Sequence, residues 1–390
     1  MKTTEEIELS VVIPCLNEAD TLGVCISKAW AAIRSSGIAA EIIVADNGSD
    51  DGSVDIAISQ GARVVPIPLR GYGHALMGGI AVARGRFVIM GDADDSYDFS
   101  EVSRFVGKLR EGFDLVQGCR LADGGGRVLP GAMPFLHRWL GNPVLTWLAR
   151  LMFRVPIHDI YCGMRGFTKE CYGRLHLHCA GMEFATEMII KATLYGEKIT
   201  EIPITLHPDG RRSHPPHLKT FRDGWRTLRI FLLFSPRWLY LIPGILLGLF
   251  GFTGYALAMP GIKIGHVAFD AHTLIFSSLA LLLGHLSVLF AVFTRIFAAR
   301  EGIAPANQFV EKWFVGASLE RGLILGFISL GMGVVLLFKA LWAWHTVDFG
   351  NLDYAHTMRI VVPGFALVAL GYQTVLGSFF ISILNMNRKD

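Results

Sequence analysis

The chain has 390 residues, of which 52% are hydrophobic, and a formal net charge of +3. So slight a positive balance, without a basic stripe interleaved with aromatics, excludes a nucleic-acid binder. The apolarity is uneven: up to about Pro208 it alternates as in a soluble α/β domain, and from Leu239 onward long apolar runs dominate, so the two regions obey two solvents.

Met1 to Glu8 is polar and acidic, and no signal peptide is expected. Leu9 to Pro14 reads as a short strand, followed by Cys15-Leu16-Asn17-Glu18 and a helical pattern running to about Arg34. The unit repeats with a strand from Glu41 to Ala45, the turn-rich acidic loop Asp46-Asn47-Gly48-Ser49-Asp50-Asp51-Gly52-Ser53, and a short helix. Arg63 to Pro66 gives a third strand and Gly71 to Arg84 a helix, after which Arg86 to Met90 is a strand that delivers Gly91-Asp92-Ala93-Asp94-Asp95-Ser96. Strands alternating with helices imply a mostly parallel α/β sheet with its sites at the carboxyl ends of the strands, which places Asn17-Glu18, Asp46 and Asp92-Ala93-Asp94 along one edge. Three carboxylates so close repel one another, and the relief is either a divalent cation held by oxygen ligands or a cap on the next helix. The first strand is not followed by G-x-G-x-x-G, and there is no P-loop.

Val11-Val12-Ile13-Pro14 with Asn17-Glu18, then Ile43-Val44-Ala45-Asp46-Asn47-Gly48-Ser49 with Asp51-Gly52-Ser53, then Gly91-Asp92-Ala93-Asp94 stand in this order. Over roughly residues 8 to 230 the chain thereby resembles the family-2 glycosyltransferases of the Rossmann-like GT-A fold, and within them the dolichyl- or polyprenyl-phosphate sugar synthases. The resemblance implies that Pro14, Asn17, Glu18 and Asp46 contact the base and ribose of a UDP- or GDP-linked hexose. It also implies that Asp92, Ala93 and Asp94 meet the diphosphate, with Mg²⁺ or Mn²⁺ on Asp92 and Asp94. The lesser alternative, read without the resemblance, is that Asn17 and Glu18 simply open the first helix.

Val116 to Arg120 is a strand ending in an arginine, which serves either to grip a phosphate or in a surface ion pair. Gly124 to Arg127 reads as a mobile, glycine-rich basic loop. Asp159, Tyr161, Cys162, Gly163, Met164 and Arg165 form a polar cluster behind the apolar Leu145-to-Val155 segment, and by the resemblance Asp159 and Arg165 lie near the active site. Glu183 and Glu187 stand one helical turn apart, either to orient a sugar or to face solvent. His207 to Lys219 is too rich in Pro and charge for a core element. The resemblance implies an arginine, a serine and a lysine reaching the phosphates here, which gives Arg212, Ser213 and Lys219, with Arg211 an alternative to Arg212 and His214-Pro215-Pro216-His217 an insertion. The expected catalytic set is therefore Asp94, Arg120, Asp159, Arg212 and Lys219. All six cysteines precede the apolar region without a C-x-x-C pair, as suits reduced core thiols of a cytosolic domain.

Phe221, Trp225, Leu228 and Leu232 fall at helical spacing with Arg222, Arg226 and Arg229 elsewhere, a basic amphipathic helix suited to an anionic membrane surface. Spans are expected at about 239–259, 274–297, 323–344 and 360–384, giving a GT-A domain over 1–215, a juxtamembrane helix over 216–236 and a transmembrane domain over 237–390. Basic loops at Arg211 to Arg237 and Arg295 to Arg321, with Arg388-Lys389, put the catalytic domain and both termini on the cytoplasmic side. His285 is mid-span, either functional or packed between helices.

The expected activity is metal-dependent, inverting transfer of glucose or mannose from a nucleotide sugar to polyprenyl phosphate, by an integral membrane protein for which a homo-oligomer is conceivable. One alternative is a processive polysaccharide synthase, but Phe135 and Phe234 stand where its glutamine-x-x-arginine-tryptophan motif needs glutamine ahead of Arg138-Trp139 and Arg237-Trp238. The other is a membrane protein that only binds nucleotide sugars.

Overall fold

In β1 (Leu9–Cys15) and β2 (Ala40–Asp46) consecutive apolar side chains face opposite ways: Val11, Ile13, Ile42 and Val44 enter one core, Val12 and Ile43 the other. Strands apolar on both faces must be covered on both, which is the condition for a buried parallel sheet. The computed structural model that carries this sheet describes residues 6–211, 220–305 and 319–386. Arg212, Ser213, the inserted His214-Pro215-Pro216-His217 and Lys219 lie outside the described residues.

The remaining described strands of the first unit are β3 (Arg63–Pro66), β4 (Phe87–Met90), β5 (Leu115–Cys119), β6 (Arg127–Val128), β7 (Arg165–Thr168), β8 (Ile199–Pro203) and β9 (Thr205–Leu206). The main sheet has seven strands in the order β3-β2-β1-β4-β7-β5-β8, all parallel except β7, which runs antiparallel to both neighbours. This is the mostly parallel α/β sheet expected, with one reversed strand inserted in its middle.

The helices of this region are α1 (Leu22–Ser35), α2 (Ser53–Ser59), α3 (Tyr72–Ala81), α4 (Val102–Arg110), α5 (Asn142–Phe153), α6 (Lys169–Leu175), α7 (Glu183–Tyr195) and α8 (Thr220–Phe234). α1, α2 and α4 bury their apolar stripes on one face of the sheet, and α3, α5, α6, α7 and α8 on the other. In α1 that stripe is Leu22, Cys25, Ile26, Ala29, Ala32 and Ile33, the spacing of one helical face.

One expectation is corrected. Gly124 to Arg127 does not stand free: β6 pairs in parallel with β9, the Arg127 amide donates to the Ile204 carbonyl at 3.0 Å, and a Cβ on Gly126 would lie 2.2 Å from the Cys119 carbonyl oxygen. The glycines serve close packing there. The chain divides into compact units at Phe234/Ser235, so α8 belongs with the catalytic unit; Thr227, Ile230 and Phe231 are buried, and Phe231 meets Phe153 edge-on at 5.9 Å.

Among the described residues the second unit holds four helices long and apolar enough to cross a membrane, Arg237–Ala258, Ala271–Arg300, Leu319–His345 and Tyr354–Asn385, at the four places expected. Small residues let them approach closely: a Cβ on Gly333 would meet the Gly364 carbonyl oxygen at 2.7 Å. His285 is packed between helices, its Nε2 lying 3.1 Å from Thr374 Oγ1.

Candidate active site

Parallel strands end together, and register decides which loops meet. Cys15 stands opposite Asp46 and Val12 opposite Met90, so the loops after β1, β2 and β4 leave the same edge. The acidic triplet after β4 then separates by partner. Asp92 Oδ1 accepts from Tyr72 Oη at 2.8 Å; Asp94 Oδ1 accepts from the amide and hydroxyl of Ser96 at 3.0 and 2.6 Å; Asp95 pairs with Lys28 Nζ at 2.7 Å. None of them caps the next helical turn, whose N-cap is Asp98. Burial, and then the Asp94 charge, push the Asp92 carboxyl up to about 6. Ala93 is buried between them, and its carbonyl accepts from Cys25 Sγ.

The loop after β1 is stitched to the loop after β2. The Asn17 amide donates to Ser49 Oγ, the Glu18 amide to Ser53 Oγ, and the Asp50 amide to Asn17 Oδ1, each at 2.9 Å. Asn17 takes the left-handed backbone, φ 60°, that a short polar side chain tolerates. Helix α1 begins later, with Thr21 as its N-cap, so neither Asn17 nor Glu18 caps it. Asp46 accepts from the amides of Gly48 and Ser49, while Pro14 lies opposite Ala45 beside it.

Glu18, only 5% exposed, is bound by Arg211, whose Nε is 2.7 Å from Oε2. The same guanidinium reaches Asp209 at 2.8 Å and Asp94 at 3.3 Å through Nη1. Arg211 thus stands at the carboxylates, while Arg212, the other arginine weighed from sequence, lies outside the described residues.

The pair Arg120 and Asp159 is brought together, but to each other. Asp159 is fully buried, Nε and Nη2 of Arg120 reach its two oxygens at 2.7 and 2.9 Å, and the remaining Nη1 points to Tyr97 Oη at 3.4 Å. The expectation of an arginine open to phosphate, or of a surface ion pair, gives way to a buried bidentate pair that fixes the loop before β7. Arg165 is also fully buried, donating to the carbonyls of Ala185 and Cys162, and burial pushes its guanidinium pKa down. Glu187 faces neither sugar nor solvent: it is 2% exposed, pairs with Lys191 at 3.0 Å and accepts from the amides of His178 and Cys179. Glu183 lies 3.5 Å from Arg226.

Sequence reasoning missed Tyr72, Tyr97 and Asn47. Tyr97 Oη accepts from the Gly163 amide at 2.8 Å, placing that glycine against Asp92: a Cβ there would lie 2.7 Å from Asp92 Oδ2. Asn47 donates to the carbonyls of Ile67 and Leu69 and accepts from the Gly71 amide, tying β2 to the start of α3. Its place in Asp46-Asn47-Gly48-Ser49 was a signal of a turn, with nothing to show its distant partners.

Among the described residues no group of three or more His, Cys, Asp or Glu stands together as a metal site. What is present is two carboxylates two residues apart, one destabilised by the other, and an Asp92 Oδ2 kept clear by a glycine. That donor set fits Mg²⁺ or Mn²⁺, which bind through one or two carboxylates and complete their shell with water and substrate phosphates.

Residues 10–174 match glycosyl transferase family 2, and residues 292–385 match the glycosyltransferase family 2 C-terminal transmembrane region. The low-salt glycan biosynthesis hexosyltransferase of Haloferax volcanii is 36% identical over 378 residues, covering 96% of this chain and 89% of its own. A dolichyl-phosphate hexose transferase of the same organism is 29% identical over 217 residues, 56% of this chain and 89% of its own. An undecaprenyl-phosphate 4-deoxy-4-formamido-L-arabinose transferase of Salmonella paratyphi A is 31% identical over 204 residues, 50% of this chain and 59% of its own. With its acidic sheet edge, its four membrane-length helices and a relative aligned over nearly the whole length, the chain belongs to the family-2 glycosyltransferases, as an integral membrane enzyme with a GT-A catalytic unit.

Proposed function

We propose that the chain moves a hexose, glucose or mannose, from a UDP- or GDP-linked donor to a polyprenyl phosphate at the cytoplasmic face, inverting the anomeric centre. The observation that carries this reading is the union in one chain of Asp92 and Asp94, set beside Arg211 and Glu18, with four helices of membrane length. The dolichyl-phosphate and undecaprenyl-phosphate transferases among the relatives support a lipid phosphate as acceptor. An acceptor phosphate at headgroup level explains why the catalytic unit is anchored: binding to the membrane replaces a search in solution with a fixed approach. The basic loops flanking the spans favour the cytoplasmic side.

A phosphate monoester, with a second pKa of about 6, is already largely anionic near neutral pH, so no strong general base is required. Pro14, Asn17 and Asp46 line the edge where base and ribose bind. Asp92 and Asp94 would hold Mg²⁺ or Mn²⁺, which when bound neutralises charge developing on the leaving nucleoside diphosphate. Arg212 and Lys219 supply the cations that place the acceptor phosphate, and Arg211 holds Glu18, Asp209 and Asp94 together. Arg120 and Asp159 act by holding the loop that presents Gly163.

The test is radiolabel transfer from a panel of nucleotide sugars into organic-extractable lipid, using purified protein, polyprenyl phosphate and Mg²⁺ or Mn²⁺, with Asp94→Ala as control. Metal-dependent lipid product absent from the control is expected. Intact nucleotide binding with no lipid product from any donor would overturn the reading.

A further inference from the structure

Helix α5 and the turn of π-helix before it, His137–Gly141, are apolar on two sides. Thr146, Ala149 and Phe153 are buried on the side that meets α7 and α8, as a surface helix requires. The opposite side should then be polar. It instead carries Phe135, Trp139, Leu140, Val144, Trp147 and Leu151, each between 42% and 78% exposed. Positions 140, 144, 147 and 151 recur at one-face spacing, so these side chains form a continuous stripe rather than scattered exposures.

The stripe's chemistry narrows what covers it. Arg138 lies over the Trp139 ring at 5.4 Å, Arg150 and Arg154 are exposed beside it, and no Asp or Glu occurs between Asp123 and Asp159. Two tryptophans on an aliphatic face with basic flanks and no acidic residue match an anionic membrane surface, where indole rings sit at headgroup level and arginines meet lipid phosphates. The four membrane-length helices of the same chain keep a bilayer at high effective concentration. The Arg138-Trp139 pair, which fails as a polymer-synthase motif for want of a glutamine, gains a purpose in this setting.

We propose that the Phe135-to-Leu151 face inserts into the interfacial layer of an anionic bilayer, giving the catalytic unit a membrane contact of its own in addition to the spans. The contact does not depend on which acceptor or sugar the enzyme uses.

It is tested on the full chain, with Cys179→Ser to remove the one partly exposed thiol, reconstituted in phosphatidylethanolamine and phosphatidylglycerol vesicles. Nitroxide labels go one at a time onto Leu140→Cys, Val144→Cys and Trp147→Cys, with Ile58→Cys, an exposed apolar position on α2, as reference. Each variant's thermal unfolding is compared with that of the parent protein to confirm its fold. The ratio of collisions with dissolved oxygen to collisions with an aqueous nickel chelate is expected to be several-fold higher at the three stripe positions than at the reference. A ratio equal to the reference would overturn the proposal by showing a solvated face. Dipolar broadening between labels on two copies would overturn it in favour of an interface between copies of this chain. Sugar transfer is not the readout, so this proposal and the proposed activity stand or fall separately.

Discussion

Arg120 and Asp159 form a bidentate ion pair in which the carboxylate is fully buried and its oxygens lie 2.7 and 2.9 Å from Nε and Nη2. Removing one member strands the other in a medium that solvates charge poorly. Asp159→Ala is expected to cost about 3–5 kcal/mol, whereas the double change Asp159→Leu with Arg120→Met costs less than the sum of its parts. Thermal unfolding of the detergent-solubilised variants checks both; additive losses would mean the pair is not coupled.

Arg211 is the cation shared by Glu18, Asp209 and Asp94. Arg211→Ala is expected to lower kcat/KM for sugar transfer by about 10²-fold, the scale of losing one preorganised electrostatic contact. Arg211→Lys recovers only part, because an ammonium cannot hold three carboxylates with a planar fork. Near-normal turnover in Arg211→Ala beside a dead Arg212→Ala would move the role to Arg212.

Gly163→Ala places a Cβ 2.7 Å from Asp92 Oδ2 and 3.1 to 3.2 Å from the Tyr97 ring and hydroxyl. One of these groups must shift, and a displacement of about 1 Å at reacting groups costs about 10²-fold in rate. Calorimetric titration of Mn²⁺ with nucleoside diphosphate should show weakened binding, and wild-type affinity in this variant would show that Asp92 is indifferent to its neighbour.

Glu8 accepts from Arg110 and Arg86, and the Arg110 hydrogen bond above all lowers its carboxyl pKa to about 2. A depressed carboxylate contributes stability above its unfolded value of 4.5, and that contribution disappears as pH falls from there toward 2. With both arginines solvent-exposed the contribution is about 1 kcal/mol. Glu8→Gln should lower stability by about 1 kcal/mol at neutral pH, flatten the acid limb between those pH values and converge with the parent protein near pH 2; an unaltered acid limb would remove Glu8 from the account.

How far the sequence could be read follows from the range of the interactions. Apolar alternation along β1 and β2 and long apolar runs after Leu239 are local signals, and they were enough for the parallel strands and the four spans. The Asp92-to-Asp94 pair was legible because like charges two residues apart need a common explanation. Arg120–Asp159 was not: the partners are 39 residues apart and meet only because β7 enters the sheet reversed, between β4 and β5. Glu187 misled for a related reason, since a carboxylate one turn from Glu183 looks surface-borne until the chain folds Lys191 and two backbone amides around it. Arg211 and Glu18, 193 residues apart, lay equally beyond any local pattern.

The reversed β7 also sets an order of events on the ribosome. Strands β1 to β4 supply the acidic edge early, yet β4 and β5 touch only through β7, so the nascent sheet stays in two pieces until Arg165–Thr168 has emerged. Until then the edge of β4 is unpaired and Gly163 is not yet in place beside Asp92. The acidic centre is thus completed only after the strand that closes the sheet has been synthesised.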